Sequence, residues 1–383
     1  MSDYDLDRLD DVAGLTRADP QDMLRAVATS GAQVRASRTA TREASLDVLG
    51  FQTRPRAIVV AGMGGSGISG DVLAAVAGMR CPVPIVVHRG YGLPGWVGAA
   101  DLVIAVSCSG TTAETLTAAV EAARRGTSLL GVGSADSPLE EHCRNGGGGF
   151  VPIVKELSPR SSLWALTVPM LITASRYGLV DLGPDDADLE AAAMQLESAA
   201  TLCSPDRESF TNPAKALAAE LAGSLPLVWG TGQVGPVAAQ RMVCQIAENA
   251  KLPAIAGGLP EAHHNQVVAF DGALAAGNGD DDLFRDRVEE EDPLRLRLLL
   301  LRDDDNDELA KKRAHASADV AAGRGIKVSV LGAQGESPLE RIASLVGIAD
   351  FASVYLGLAY GVNPTPIAPI DELKQVLQDP RTL

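Results

Sequence analysis

The chain is 383 residues long and carries a formal charge of −16 with no run of clustered Lys and Arg, which excludes a protein that grips nucleic-acid phosphates or an anionic membrane through its overall field. With 46 % hydrophobic and 21 % charged residues it can bury a full core, and at this length two domains are expected. Five scattered cysteines without a Cys-x-x-Cys pair, a polar acidic start (MSDYDLDRLDD) and the lack of an unbroken apolar run near the ~20 residues that span a bilayer point to free thiols in the cytoplasm.

Residues 19–40 are polar and helix-compatible, and an N-terminal helical arm is expected over residues 1–40. Residues 57–61 (AIVVA) form a β-branched run that breaks at Gly62, and a helical pattern runs from near Ile68 to about Val76. Residues 84–87 and 102–106 are the next apolar runs. Residues 112–125 read as a helix ending at Gly126, with Arg124 and Arg125 in its last turn, and residues 128–132 as another strand. A helical stretch over 185–200 leads to further strands at 225–229, 296–301 and 326–331, and to a long apolar helix over 339–360. Apolar strands alternating with helices imply α/β domains whose parallel sheets are covered on both faces, one over 41–185 and one over 186–383. The charged run 278–293 is expected to be a solvated loop insertion.

A repeat supports the two-domain reading. Gly62-Met63-Gly64-Gly65-Ser66-Gly67 follows a strand and opens a helix, and Gly230-Thr231-Gly232-Gln233-Val234-Gly235 does the same. The first run matches the dinucleotide fingerprint. That use also wants an acidic residue at the end of the next strand, about 20 residues on, to hold the ribose; here the strand ends in His88-Arg89. The better reading joins two loops into a phosphate site. Ser107-Cys108-Ser109-Gly110-Thr111-Thr112 leads into a helix whose N-terminal N–H groups and dipole suit a dianion. Gly65 and Ser66 converge on the same point, because adjacent strands lie only ~4.8 Å apart. A helix cap needs one hydroxyl, whereas Ser66, Ser107, Ser109 and Thr112 offer four.

These loops resemble those of the sugar isomerase (SIS) domain, and two of them in one chain resemble the bifunctional phosphoglucose/phosphomannose isomerases. GMGGSGISGD at 62–71 is similar to the family's glycine loop, and SCSGTTAET at 107–115 to its Ser-x-Ser-Gly-x-Thr pattern. Pro159-Arg160-Ser161-Ser162 resembles its PRS segment. Glu248-Asn249-Ala250-Lys251 with Pro260-Glu261-Ala262-His263-His264-Asn265 resembles its ENAK and PE–HN signature, and Ile370-Asp371-Glu372-Leu373-Lys374 its C-terminal helix. The chain departs from the pattern at Cys108, Thr111 and Gln266, and in the acidic run.

The resemblance implies two SIS-type doubly wound parallel-sheet domains with flanking helices, and an aldose–ketose isomerase working through a cis-enediolate without metal or cofactor. Such chemistry needs a base beside C1 and C2, a ring-opening group and stabilisation of the oxyanion. Glu248, in the apolar run MVCQIAENA, reads on its own as a solvated helix-end carboxylate or as a base; the resemblance makes it the base. By the same resemblance His264 opens the ring and arrives from the other subunit of a homodimer, Arg160 faces the enediolate oxygens, and Lys374 contacts the sugar. His263 and His88 are expected to be satisfied structural imidazoles, and Cys108 a packing residue. A non-catalytic sugar-phosphate sensor would keep the hydroxyl loops but has no need of the Glu, His, Arg and Lys set.

Overall fold

A computed structural model describes residues 4–153, 158–275, 294–303 and 307–378; the charged run at 278–293 lies outside them. Strands β1 (Ile58–Ala61), β2 (Ile85–His88), β3 (Leu102–Ser107), β4 (Ser128–Ser134) and β5 (Gly149–Ile153) form one wholly parallel sheet in the order β2-β1-β3-β4-β5. Strands β6 (Ser224–Gly230), β7 (Ile255–Gly258), β8 (Arg295–Arg302) and β9 (Lys327–Gly332) form a second, in the order β7-β6-β8-β9. In both sheets the order reverses beside a glycine loop, between β1 and β3 and between β6 and β8. In open α/β sheets ligands sit in the crevice outside the strand ends at such switch points.

Both faces of each sheet are buried, and successive residues divide between two cores. Ile58, Val60, Leu102, Ile104, Leu130 and Val132 face a central core, while Val59, Val103, Ala105 and Leu129 face an outer one. Val228, Leu299 and Leu301 of the second sheet enter the same central core, and Leu227, Trp229, Leu298 and Leu300 a third cluster. The helices Leu163–Arg176, Ala187–Leu202 and Pro338–Ala359 contribute to the central core. A fully buried Leu or Val side chain stabilises the fold by roughly 1.5–3 kcal/mol, so this shared core holds the two sheets as one body.

Elements that the sequence did not announce are the shortest or the least periodic. Strand β5 follows the run Gly146-Gly147-Gly148, β7 is four residues interrupted by glycine, and Leu163–Arg176 is apolar on all sides around Pro169. The first glycine loop is shorter than its sequence suggests, because the helix begins at Gly64, four residues before Ile68. Pro338–Ala359 is long and apolar enough to cross a membrane, against the expectation that no run is; 94 % of its apolar window is buried, which makes it a core helix.

Candidate active site

The first site forms where β1 and β3 end. Ser107 Oγ lies 2.9 Å from Thr112 Oγ1 and 3.5 Å from Ser109 Oγ, and Ser109 Oγ lies 3.0 Å from Thr111 Oγ1. Thr112 occupies the N-cap position of the helix Ala113–Arg125 and caps nothing with its side chain. Its hydroxyl points to Ser107 instead, so the helix N–H groups keep no hydroxyl cap from it. Ser66 is buried in the first turn of the helix Gly64–Ala77. Cys108 is buried at the foot of the same turn, and burial pushes its thiol above the ordinary range.

The glycine loop touches the Arg160 turn. A Cβ on Gly65 would lie 3.3 Å from the Pro159 carbonyl and 3.9 Å from Arg160 Cα, so the two segments are in close contact at this glycine. Arg160 is 3 % exposed and its Nη1 lies 3.4 Å from Glu248 Oε2, whereas the Glu248 side chain is 30 % exposed. The cation is therefore shielded while the carboxylate remains open to a ligand. Burial pushes the Arg160 guanidinium down, and Glu248 opposes that shift.

Glu248 sits in a π-turn, Ile246–Ala250, at the end of the helix Gly235–Gln245. Such turns insert one residue into a helix and recur at functional sites. The turn stops at Lys251, whose φ of 59° is in the left-handed region that non-glycine residues enter at a cost of about 1–3 kcal/mol. Lys251 Nζ donates to the Glu248 carbonyl and, at 3.1 Å, to that of Pro364. Arg160 Nη2 donates to Pro364 O (2.9 Å) and Thr365 O (2.6 Å), so one strap of chain ties both cations together. Burial pulls the Lys251 ammonium below its usual value, with Arg160 adding to the effect.

Sequence reasoning did not foresee the supports behind Arg160. Arg241 Nη2 donates to the Arg160 carbonyl (2.6 Å) and to Asp350 Oδ2 (2.8 Å), and Arg241 Nε to Asp350 Oδ1 (3.1 Å). Both partners are buried. Their signal was a lone charge in an apolar stretch, Arg241 in the helix Gly235–Gln245 and Asp350 among residues 342–359. Gln33, in the N-terminal helix Ser30–Glu43, donates to Ser161 O at 2.8 Å and so fixes the same turn.

Arg160 Nε, Thr365 Oγ1 and Asn249 Oδ1 are buried around this centre without a hydrogen-bond partner. Buried polar atoms are rarely left so, and a polar ligand or water at the centre would satisfy them. Among the described residues no group of three or more His, Cys, Asp and Glu side chains converges to hold a metal.

The fold does not bring every candidate to this centre. His264 lies exposed in the short turn Glu261–His264, and Lys374 on the exposed helix Ala368–Gln378; neither has a bond to Glu248 or Arg160 among the described residues. His263 stays inside, 2.7 Å from Ser317 Oγ, and burial lowers its basicity. Gln266 binds the buried Trp229 ring through Oε1 at 2.7 Å, a structural use of that departure from the family pattern. His88 differs from expectation: its Nε2 is buried without a partner, so the imidazole is not a satisfied one.

Comparisons with known proteins place the chain in a family. A family model described as the bacterial phospho-glucose isomerase C-terminal SIS domain matches residues 210–377. A bifunctional phosphoglucose/phosphomannose isomerase of Caldicellulosiruptor bescii is 30 % identical over 322 residues, 84 % of this chain and 89 % of that protein. One from Aquifex aeolicus is 30 % identical over 87 % of this chain and 93 % of its own length. Among solved structures, a hypothetical protein from Thermus thermophilus aligns with a TM-score of 0.68 at 18 % identity, covering 98 % of this chain and 94 % of the other, which speaks for the fold alone. With near-full-length relatives at 30 % identity, the chain belongs to the family of bifunctional phosphoglucose/phosphomannose isomerases.

Proposed function

We propose that the chain interconverts glucose 6-phosphate and mannose 6-phosphate with fructose 6-phosphate. The observation that carries this reading is the Arg160–Glu248 pair, held beside the glycine loop at the ends of β1 and β3. The substrate phosphate lies among the hydroxyls of Ser66, Ser107, Ser109 and Thr112, over the N-terminus of Ala113–Arg125. Glu248 removes the C2 proton of the open-chain aldose, and Arg160 stabilises the negative oxygens of the cis-enediolate. The same carboxyl returns the proton to C1 and leaves the ketose.

His264 opens the ring by exchanging a proton between O1 and O5, and a second copy of the chain supplies it. Two features support a homodimer. His264 is exposed rather than directed at its own Glu248 centre, and the helix Ala368–Gln378 leaves Ile370, Leu373 and Leu377 exposed. The same helix carries Lys374 and begins three residues after Thr365, a carbonyl partner of Arg160. Lys374 then reaches the sugar once the helix is packed. The enzyme works in the cytoplasm.

The test is a coupled assay with fructose 6-phosphate that reads glucose 6-phosphate and mannose 6-phosphate separately. Formation of both products is expected. Phosphosugar binding without turnover would make the chain a sensor. For the shared site, inactive Glu248→Gln and His264→Ala chains are mixed; recovered activity is expected, and no recovery on subunit exchange would remove the donated histidine.

A further inference from the structure

Arg160 and Glu248 meet from distant parts of the chain, and both are secured from behind on the helix Pro338–Ala359. The arm from Arg160 ends at Asp350, through the Arg241 guanidinium that also holds the Arg160 carbonyl. The arm from Glu248 ends one turn further on. Asn249, the next residue of the π-turn, donates from Nδ2 to Ser353 Oγ at 2.9 Å, and Ser353 Oγ donates to the Asp350 carbonyl at 2.7 Å. A turn beyond that, the π-turn backbone rests on Gly357. A Cβ there would lie 2.6 Å from the Asn249 carbonyl oxygen and 3.1 Å from Ala250 Cα. Positions 350, 353 and 357 share one face of the helix and span about 10 Å of its length.

The Glu248 carboxyl needs such a support. The π-turn takes it out of the register of Gly235–Gln245, so that helix does not by itself set where the carboxyl stands. The bond from Arg160, at 3.4 Å, is too long to hold it there either. Asn249 and Ser353 are wholly buried. Apolar contact would join the two elements without the desolvation of an amide and a hydroxyl, so this bond specifies a position more than it adds stability.

We propose that Ser353 and Gly357 are positioning residues for the general base: through Asn249 and the π-turn backbone they set the Glu248 carboxyl at its distance from Arg160, with Pro338–Ala359 as the common frame for both groups. The inference rests on the reading of Glu248 as the base.

The experiment measures kcat and KM with fructose 6-phosphate for Ser353→Ala, made both in the wild-type chain and in Glu248→Gln. Ser353→Ala alone should lower kcat roughly 10- to 100-fold, the scale of a reacting group misplaced by up to about 1 Å. KM should stay within about twofold, because the hydroxyl loop is untouched. In the Glu248→Gln chain the same change should lower kcat no further, since an amide takes no proton wherever it stands. Gly357→Ala drives a methyl into the turn and should show the same split; if it does not fold, Ser353→Ala carries the test alone. Ile348→Ala, on the opposite face of the same helix, should lower the melting temperature and leave kcat at the wild-type value. A fall in kcat by the same factor in both backgrounds, or wild-type kcat in the folded Ser353→Ala chain, would overturn the proposal. Wild-type turnover in Glu248→Gln alone would instead remove the base reading, and the proposal with it.

Discussion

Both sheets place a glycine loop at the end of their second strand, β1 in one and β6 in the other, and both loops feed a helix N-terminus. They part company one strand over. After β3 come Ser107, Ser109 and Thr112, whose hydroxyls face one another and leave the next helix without a side-chain cap. After β8 comes Asp303, whose carboxylate takes two loop amides and is itself held by Arg341. Backbone topology alone would give two equivalent sites. The side chain that follows the neighbouring strand decides which one stays open, so function is read from that turn and not from the fold.

The largest expected effect separates chemistry from binding within the open site. Glu248→Gln keeps the shape and a hydrogen-bond acceptor but cannot take a proton. Its kcat should fall by roughly 100- to 10,000-fold, the range for a lost general base, while calorimetric phosphosugar affinity stays near wild type. Full activity in the variant would take the base role from Glu248.

The next effect compares the two buried ion pairs. Arg341–Asp303 fills a loop, whereas Arg241–Asp350 stands behind Arg160 and holds its carbonyl. Asp350→Asn leaves Arg241 buried and uncompensated, which should cost about 3–5 kcal/mol in urea unfolding. Its kcat should fall as well, because the Arg160 turn loses its anchor. A stable Asp350→Asn chain with normal turnover would show that the turn is held by its other contacts, such as Gln33 on Ser161.

Much of this contrast is legible in the sequence. The strands at 57–61, 102–106, 225–229 and 296–301 are β-branched or leucine-rich runs, the first and third of them ending at a glycine, and they appear within a residue or two as β1, β3, β6 and β8. The hydroxyl loop was legible because Ser and Thr were denser than capping requires. Asp303 was not, since in the run Arg302-Asp303-Asp304-Asp305-Asn306-Asp307 one acid looks like the next, and only the strand register singles it out. Arg241, Asp350 and Gln33 were hidden for a related reason. Each acts on a turn tens of residues away or more, and no local pattern records that distance. Lys374 and His264 were named from the family pattern, and the fold of one chain leaves both exposed.

A smaller effect probes the loops directly. Ser109→Ala combined with Thr112→Ala should raise KM by about 100-fold, two hydrogen bonds to a charged group at roughly 1.5 kcal/mol each, with a lesser change in kcat. The matching change in the closed loop, Thr231→Val, removes only the acceptor of the Asp303 N–H. It should lower stability by about 1 kcal/mol and leave KM unmoved. An unchanged KM in the first variant would place the phosphate elsewhere; a raised KM in the second would link the two loops.

The smallest effect falls on Cys108, the residue that stands where the closed loop has Asp303. A thiol at a helix N-terminus is often lowered in pKa and reactive. Here burial acts the other way and holds the thiol above its ordinary range, so it stays protonated at neutral pH and gains thiolate only as the solution becomes strongly alkaline. Cys108→Ala should therefore keep kcat/KM within about threefold of wild type, the loss being a small packing defect rather than a lost reactant. Iodoacetamide at pH 8 should label Cys81 and Cys244, which are partly exposed, well before Cys108. Rapid labelling of Cys108, or a variant without activity, would mean that the thiol takes part in the reaction. The open loop would then owe its function to the side chain at this position as well as to the hydroxyls around it.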